Sequence, residues 1–427
     1  MKGLIRSMFI SLNELKGLVV DLDSFPEEFD DIWLEIDSSI SILFLSKDEK
    51  RLSDIEKINR DFITHNGTFG GFLNKRKSLI DVHQILEMES FELAVLSRNL
   101  EILKYLQGMN VSTIYFSQED YSNYEDVGNL PDFLIGSIED INDIISGDLK
   151  GFFSEVASII YNGNHIEFKQ GVVIVTDKEY QNRTSTIVSG GRYFSKSDIR
   201  YPIHQLSQRI IKNKDYPESQ VSLFSSIYND LVRFIEEQIG RVDVLTRIPP
   251  RPSQEKDRMI DSVDYVCRQK THIRNAASSL VCVRDYESQK FLNQEERLSN
   301  IQGVFKVLED FNDMHVVIID DVISTGATAL EAANEFYKAG ARKVTILVLA
   351  INQFKNYLIT SYQPLMCQCG SEMKMRFNRT NNSAFFGCSN YRSCNNKGLD
   401  FFAGMKAYNQ LNKVEIDKEE FEDPEWF

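Results

Sequence analysis

The sequence predicts an α/β protein whose parallel sheets are followed by a small metal-stapled module, and three observations predict it. Short apolar runs rich in strand formers alternate with helically spaced segments through most of the 427 residues. One run, Val316–Ile319, leads into two aspartates and a Ser/Thr/Gly turn that opens a helix. Four of the six cysteines crowd into residues 367–394, a segment too short to fold on an apolar core alone.

In the first third, residues 92–97, 111–117 and 132–136 are the strand candidates, and Leu100–Leu106 carries the apolar spacing of a helix between the first two. That alternation predicts a small domain with parallel strands, ending near residue 150 after Ser146-Gly147-Asp148. Residues 1–150 hold 14 Lys/Arg against 28 Asp/Glu, so −14 of the formal −15 charge lies there. Such a surface repels nucleic acid and leaves a protein partner as the expected contact. No apolar run reaches the roughly 18–20 residues of a membrane span. The opening Met1–Ile10 is interrupted by Arg6 and lacks a small-residue cleavage site, so a cytoplasmic protein is expected.

Beyond residue 165, Val172–Val175, Val242–Leu245, Val316–Ile319 and Val344–Leu349 are candidate buried strands. A helix is expected from Thr328 to about Ala339, with Leu330, Ala333, Phe336 and Tyr337 on its apolar face and Gly340 ending it. Between strand and helix stand Asp320, Asp321, Ser324, Thr325, Gly326, Ala327 and Thr328. The strand is expected to end in the two carboxylates. Backbone N–H groups and the helix N-terminus then converge on one point, an anion site that Gly326 lets a ligand approach. The hydroxyls of Ser324, Thr325 and Thr328 add donors. Carboxylates repel phosphate, so Asp320 and Asp321 are assigned to vicinal hydroxyls, as acidic residues serve ribose in dinucleotide sites. Phosphate on one side and a diol on the other describe ribose 5-phosphate. No Gly-Lys-Ser/Thr follows, which excludes a Walker loop.

Residues 316–328 resemble the motif by which type I phosphoribosyltransferases bind phosphoribosyl pyrophosphate (PRPP). Arg284, Gln289, Leu292, Arg297, Asn300, Gly303 and Phe305 have the order and spacing of the ComF-like members, and the resemblance extends over roughly 165–355. It implies a parallel sheet, Asp320 and Asp321 on the ribose hydroxyls, and residues 324–328 on the 5-phosphate. Val244–Pro252 sits where the family has a pyrophosphate-side loop, with its usual dipeptides altered; Arg247 and Arg251 are the candidate ligands there. Arg284, Gln289 and Arg297 either anchor a loop or contact substrate. The implied chemistry displaces pyrophosphate from the anomeric carbon, with Mg²⁺ and arginines neutralising the leaving group. Ser324 replaces the base-side aspartate of 6-oxopurine enzymes, which argues against hypoxanthine or guanine as acceptor. His272, between Lys270 and Arg274, is a further active-site loop candidate.

Cys367, Cys369, Cys388 and Cys394, with Gly370 and Gly387 beside them, fit a tetrahedral Zn²⁺ site. Residues 387–394 resemble the C-terminal zinc ribbons of type IA topoisomerases, which implies binding of single-stranded DNA; the first pair departs from the ribbons' Cys-x-x-Cys. Residues 364–402 carry Lys374, Arg376, Arg379, Arg392 and Lys397 against Glu372 and Asp400. Phe377, Phe385, Phe386 and Tyr391 interleave with those cations, either to stack bases or to form the ribbon's core.

Leu18–Ser24 contains Asp21-Leu22-Asp23 and resembles the nucleophile strand of haloacid-dehalogenase-like (HAD) phosphatases; residues 131–137 resemble their last strand. Arg98, in Ser97-Arg98-Asn99, stands where that family binds metal through aspartate, so this domain is expected to be catalytically degenerate. The predicted organisation is an acidic HAD-like domain over 1–150, a ComF-like phosphoribosyltransferase domain over 151–362, a zinc ribbon over 363–402 and an acidic tail over 403–427. The expected activity is PRPP-dependent transfer to an undefined acceptor, with a nucleotide or nucleic acid among the candidates. The alternative is a PRPP- or nucleotide-sensing regulator whose ribbon binds DNA or RNA, within a DNA-processing or phage-defence assembly.

Overall fold

The computed structural model describes residues 15–37, 39–70, 72–107, 111–117, 124–146, 148, 151–160, 171–254, 256–286, 300–354, 363–378, 380, 383–396 and 398–412. Gln289, Leu292, Arg297, Arg379, Lys397, the opening Met1–Ile10 and residues 413–427 lie outside them.

The first unit is a six-stranded parallel sheet. Its strands are Gly17–Asp21 (β1), Ser41–Ser46 (β2), Ile63–Asn66 (β3), Leu93–Ser97 (β4), Ser112–Phe116 (β5) and Phe133–Ile135 (β6), in the order β3-β2-β1-β4-β5-β6. Helices Glu49–Ile58 (α1), Phe72–Leu86 (α2), Leu100–Gln107 (α3) and Glu139–Ser146 (α4) accompany it. Successive residues of β1 face opposite layers: Leu18 and Val20 pack with Trp33, and Val19 packs with Leu106. Burial on both faces explains why Leu18–Val20 is a continuous apolar run rather than alternating. The strand order reverses between β1 and β4, and open sheets of this kind hold ligands at the carboxyl ends of the strands there.

In the second unit, Phe153–Ile160 (α5) precedes Ile174–Tyr180 (β7), Arg183–Ser189 (β8), Arg192–Tyr193 (β9), Gln205–Asp215 (α6), Val221–Gln238 (α7) and Val244–Arg247 (β10). Then come Ile260–Gln269 (α8), Arg274–Asn275 (β11), Leu280–Cys282 (β12), Phe305–Val307 (β13), His315–Ile323 (β14), Ala327–Lys338 (α9) and Lys343–Asn352 (β15). The sheet runs β11-β10-β14-β15-β8-β7, with β9 also on β15 and β12–β13 forming a separate antiparallel pair. Every pairing in the main sheet is parallel except β7 with β8. The strand expected at Val172–Val175 is therefore shifted to Ile174–Tyr180. It forms an edge hairpin whose turn residues Gln181 and Asn182 have φ of 50° and 60°, the left-handed pair of a type I′ turn. At the centre, Val316 and Ile318 of β14 pack with Phe336, whereas Val317 and Ile319 pack with Tyr228.

The third unit is a three-stranded sheet of Met373–Phe377 (β16), Ala384–Cys388 (β17) and Leu399–Asp400 (β18), followed by Phe401–Leu411 (α10). That helix corrects the expectation of an acidic tail from residue 403. Phe401, Met405 and Tyr408 recur at helical spacing and are buried against Phe386.

The units share buried surface. Phe91 of the first packs edge-on against Phe401 and Phe402 of the third. Gln353, after β15, donates to the Val127 carbonyl at 2.9 Å and accepts the Leu130 amide at 2.8 Å. Arg192 is fully buried and donates to both carboxylate oxygens of Glu155 (2.9 and 3.0 Å), to Asp132 (2.7 Å) and to the Pro131 carbonyl (3.0 Å). Its guanidinium also lies over the rings of Phe152 and Phe194. Among the described residues, no helix is long and apolar enough to cross a membrane.

Candidate functional site

The acid pair stands near the carboxyl end of β14, where parallel sheets present ligand sites. Contrary to expectation, the strand does not stop there; it continues through Val322 and Ile323, because β15 offers Ala350 and Ile351 as partners. The turn follows, with Ser324 exposed and Thr325 half-buried. Gly326 then adopts φ +86° as the residue before α9. A side chain there would be strained by the left-handed backbone and would meet Leu330 Cδ1 at 3.2 Å. Ala327 is buried and Thr328 half-buried in the first helical turn, and the positive end of the helix dipole lies beside the acid pair.

Burial, and then the neighbouring Asp321, push the Asp320 carboxyl up to about 7. Asp320 accepts the Asp321 amide at 2.8 Å, and Tyr228 donates to its carbonyl at 2.7 Å. Asp321 pairs with Arg258 at 3.1 Å. A folded value raised above the ordinary 3.8 means the folded protein holds its proton longer than the unfolded chain. Any stabilisation is complete below about 4 and is lost as pH rises through about 7. Asp320→Asn is therefore expected to gain stability over the parent between pH 5 and 8, on the order of 2 kcal/mol. Denaturant midpoints of both proteins at the two pH values check this; a difference that does not change with pH refutes it.

The cations divide. Arg247 is directed inward: it donates to Asp257 at 2.7 Å and to the Ala277 carbonyl at 2.6 Å, and it is buried. Its guanidinium is thus engaged by the protein. Arg251 lies over the Tyr286 ring at 4.2 Å, and Tyr286 in turn feels the Asp320 charge. Arg258 gave no sequence signal. It reaches Asp321 from 63 positions upstream because Asp257 accepts the amides of Met259 and Ile260 and fixes the start of α8. Arg284 donates to the carbonyls of Asn300 and Gln302, so it anchors its loop in this structure. His272 precedes β11, at the edge of the sheet opposite the acid pair, and contacts Glu236.

The four cysteines converge: their sulfurs all lie within 4.8 Å of one another. Cys367 and Cys394 are 3.7 Å apart, and Cys369 and Cys388 are 3.5 Å apart. Zinc–thiolate bonds of about 2.3 Å in a tetrahedron require sulfurs roughly 3.8 Å apart. Cys388 and Cys394 also accept the amides of Asn390 and Asn396. This cluster can hold a metal ion such as zinc. Of the interleaved aromatics, Phe386 is core, whereas Tyr391 is 60% exposed.

At the switch point of the first sheet, Asp21 is buried and accepts from Ser97 Oγ at 2.6 Å; burial and Asp23 raise it to about 6. Arg98 lines a cleft of about 400 Å³ there with Ser24, Asn99 and Tyr115. Asp132 does not join them. It precedes β6, at the opposite edge of the sheet, where Arg192 and Thr113 engage it.

Residues 275–371 match the model of the phosphoribosyl transferase domain, so the chain contains a domain of that type. The DNA utilization protein YhgH of Salmonella typhi is 26% identical over 110 residues, which cover 25% of this chain and 48% of that protein. The protein of the same name from Escherichia coli O6:H1 (strain CFT073) matches with the same identity and coverage. The chain thus spans about half the length of the curated relatives it matches. Among solved structures, the UMP synthase of Leishmania donovani is 11% identical, covers 81% of this chain and 89% of that one, and has a TM-score of 0.19. That score carries no argument about fold or function.

Proposed function

We propose that this protein binds PRPP at the β14–α9 turn and transfers its phosphoribosyl group to an acceptor, within a ComF-like domain spanning 151–362. The observation that carries the proposal is the acid pair near a strand's carboxyl edge, with Asp321 buried and Asp320 half-buried, followed after a short turn by a left-handed glycine and a helix N-terminus. In it, Asp320 and Asp321 accept the ribose hydroxyls, and the amides and hydroxyls of 324–328 hold the 5-phosphate. Arg258 holds Asp321 in place, and Arg251, which lies over the Tyr286 ring, is assigned to the departing pyrophosphate. Asp320 and Asp321, acted on by Arg258 and Lys214, would face a pyrophosphate that adds negative charge, which suits a divalent cation. Magnesium would be held mainly by substrate oxygens and water, with Asp320 and Asp321 nearby, and would supply neutralisation of the leaving group.

Asp320→Asn/Asp321→Asn is expected to weaken PRPP binding at least ~100-fold, as charge-assisted hydrogen bonds to both hydroxyls are lost. Calorimetric titration of PRPP with Mg²⁺ measures it, and circular dichroism checks the fold. Unchanged affinity in the folded variant refutes the assignment.

The flanking units are proposed to be an HAD-like domain that recognises or regulates rather than catalyses, and a zinc ribbon that binds single-stranded DNA or RNA. The name DNA utilization protein, carried by the relatives, supports a nucleic-acid context. One observation favours a PRPP-sensing role instead: Arg247 is committed to Asp257, which leaves fewer free cations for pyrophosphate. Pyrophosphate release with an added base, nucleotide or oligonucleotide supports the transferase; PRPP binding without release under any of them supports the sensor.

A further inference from the structure

A groove of about 1330 Å³ lies between helices α5 and α6 of the second unit and the β16–β17 hairpin of the cysteine module. Its cations come from both sides. Lys196, Arg209 and Lys212 line one wall, and Lys374 and Arg376 line the other, against Asp215 and Glu372 as the acidic lining residues among the described residues. In a chain of net charge −15 this is a local reversal of sign. A concave basic surface concentrates polyanions.

Its aromatic side chains are placed for stacking. Tyr216 is 59% exposed and Tyr391 60% exposed, and both line the groove. The Arg376 guanidinium lies 5.6 Å from the Tyr391 ring centroid, and its Nε has no hydrogen-bond partner among the described residues. Lys212, from α6, and Arg392, from the module, share a smaller cleft around the same tyrosine. Exposed rings between cations in a basic groove are the recognition chemistry of unpaired bases on a phosphate backbone. A duplex hides its base faces and offers nothing to such rings.

We infer that this groove binds single-stranded nucleic acid, with α6 supplying one wall and the cysteine module the other. The inference rests on the nucleic-acid reading of the module and adds that the module alone is half of the site. The last turn of α6 also connects the groove with the acid pair, since Lys212 lines the groove while Lys214 acts on Asp320.

The test uses the full chain, a fluorescein-labelled oligo(dT) of about 20 nucleotides and a duplex of equal length, read by fluorescence anisotropy. Lys196→Glu/Lys212→Glu changes two exposed side chains outside the module. It is expected to weaken single-strand binding at least ~10-fold and to lower the salt slope by about 1.4, as two phosphate contacts are removed. Tyr391→Ala is expected to cost a similar factor through lost stacking. PRPP affinity and metal content are expected to stay at parental values, and Lys212→Arg to retain binding. If Tyr391→Ala weakens binding but Lys196→Glu/Lys212→Glu does not, the composite groove is refuted while the module's own role stands. If the parent binds no single strand, or binds duplex equally well, both are refuted.

Discussion

Cys369→Ser is expected to abolish tight metal binding and to release residues 363–412 from their packed state, while the two larger sheets stay folded. The module is too small to stand on its core: its buried apolar side chains are Leu365, Met373, Met375, Ala384, Phe386, Phe401, Met405 and Tyr408, and they share a cluster with Phe91, Ile199 and Ile203 of the other units. Structural zinc contributes roughly 10–16 kcal/mol to peptides of this size, and that binding energy is folding energy. Cys369 is the informative position because it is exposed, so serine removes a ligand without opening a cavity. Metal analysis is expected to give one zinc per parental chain and a small fraction of that in the variant. Limited proteolysis is expected to cut the variant first within the module. A parental chain that holds no metal, or a variant that stays equally protected, refutes zinc as the staple.

Arg192→Met is expected to destabilise the protein by about 3–5 kcal/mol, the cost of stranding buried charges. Burial works against the Glu155 charge, yet Arg192 and His204 hold its carboxyl at about 2. Burial pushes Asp132 upward in spite of Arg192, and burial lowers His204 in spite of Glu155. One guanidinium therefore serves two carboxylates that water does not reach. Without it, Glu155 and Asp132 must take up protons or separate. Asp132 borders β6 whereas Glu155 and Arg192 belong to the second unit, so the loss falls on the junction between the sheets. Chemical denaturation is expected to show the first transition moving to lower denaturant, and Asp132→Asn/Glu155→Gln added to Arg192→Met is expected to recover part of it. A single variant as stable as the parent refutes the network's structural role.

Much of the architecture was legible because it is local. The helix expected at Thr328–Ala339 forms at Ala327–Lys338, and Gly340 ends it at φ +93°. The strands expected at 92–97 and 111–117 form at Leu93–Ser97 and Ser112–Phe116. Hidden elements lacked the pattern. β3 is an edge strand reading Ile-Thr-His-Asn, and β7 alternates buried with exposed residues through Thr-Asp-Lys-Glu-Tyr. The helix α10 was obscured by the acidic residues that follow it in sequence.

The sequence by itself determined the order of strand, acid pair, glycine and helix, and the set of four cysteines, because each is written in residues that are neighbours along the chain. Only the tertiary structure decided which charges meet. Arg258 rather than Arg247 faces Asp321, Arg192 joins two sheets, and α6 closes a basic groove against the cysteine module. Spacing along the chain cannot encode these pairings: an arginine on the surface and one buried between carboxylates read alike until burial sets the energy of leaving its charge unpaired.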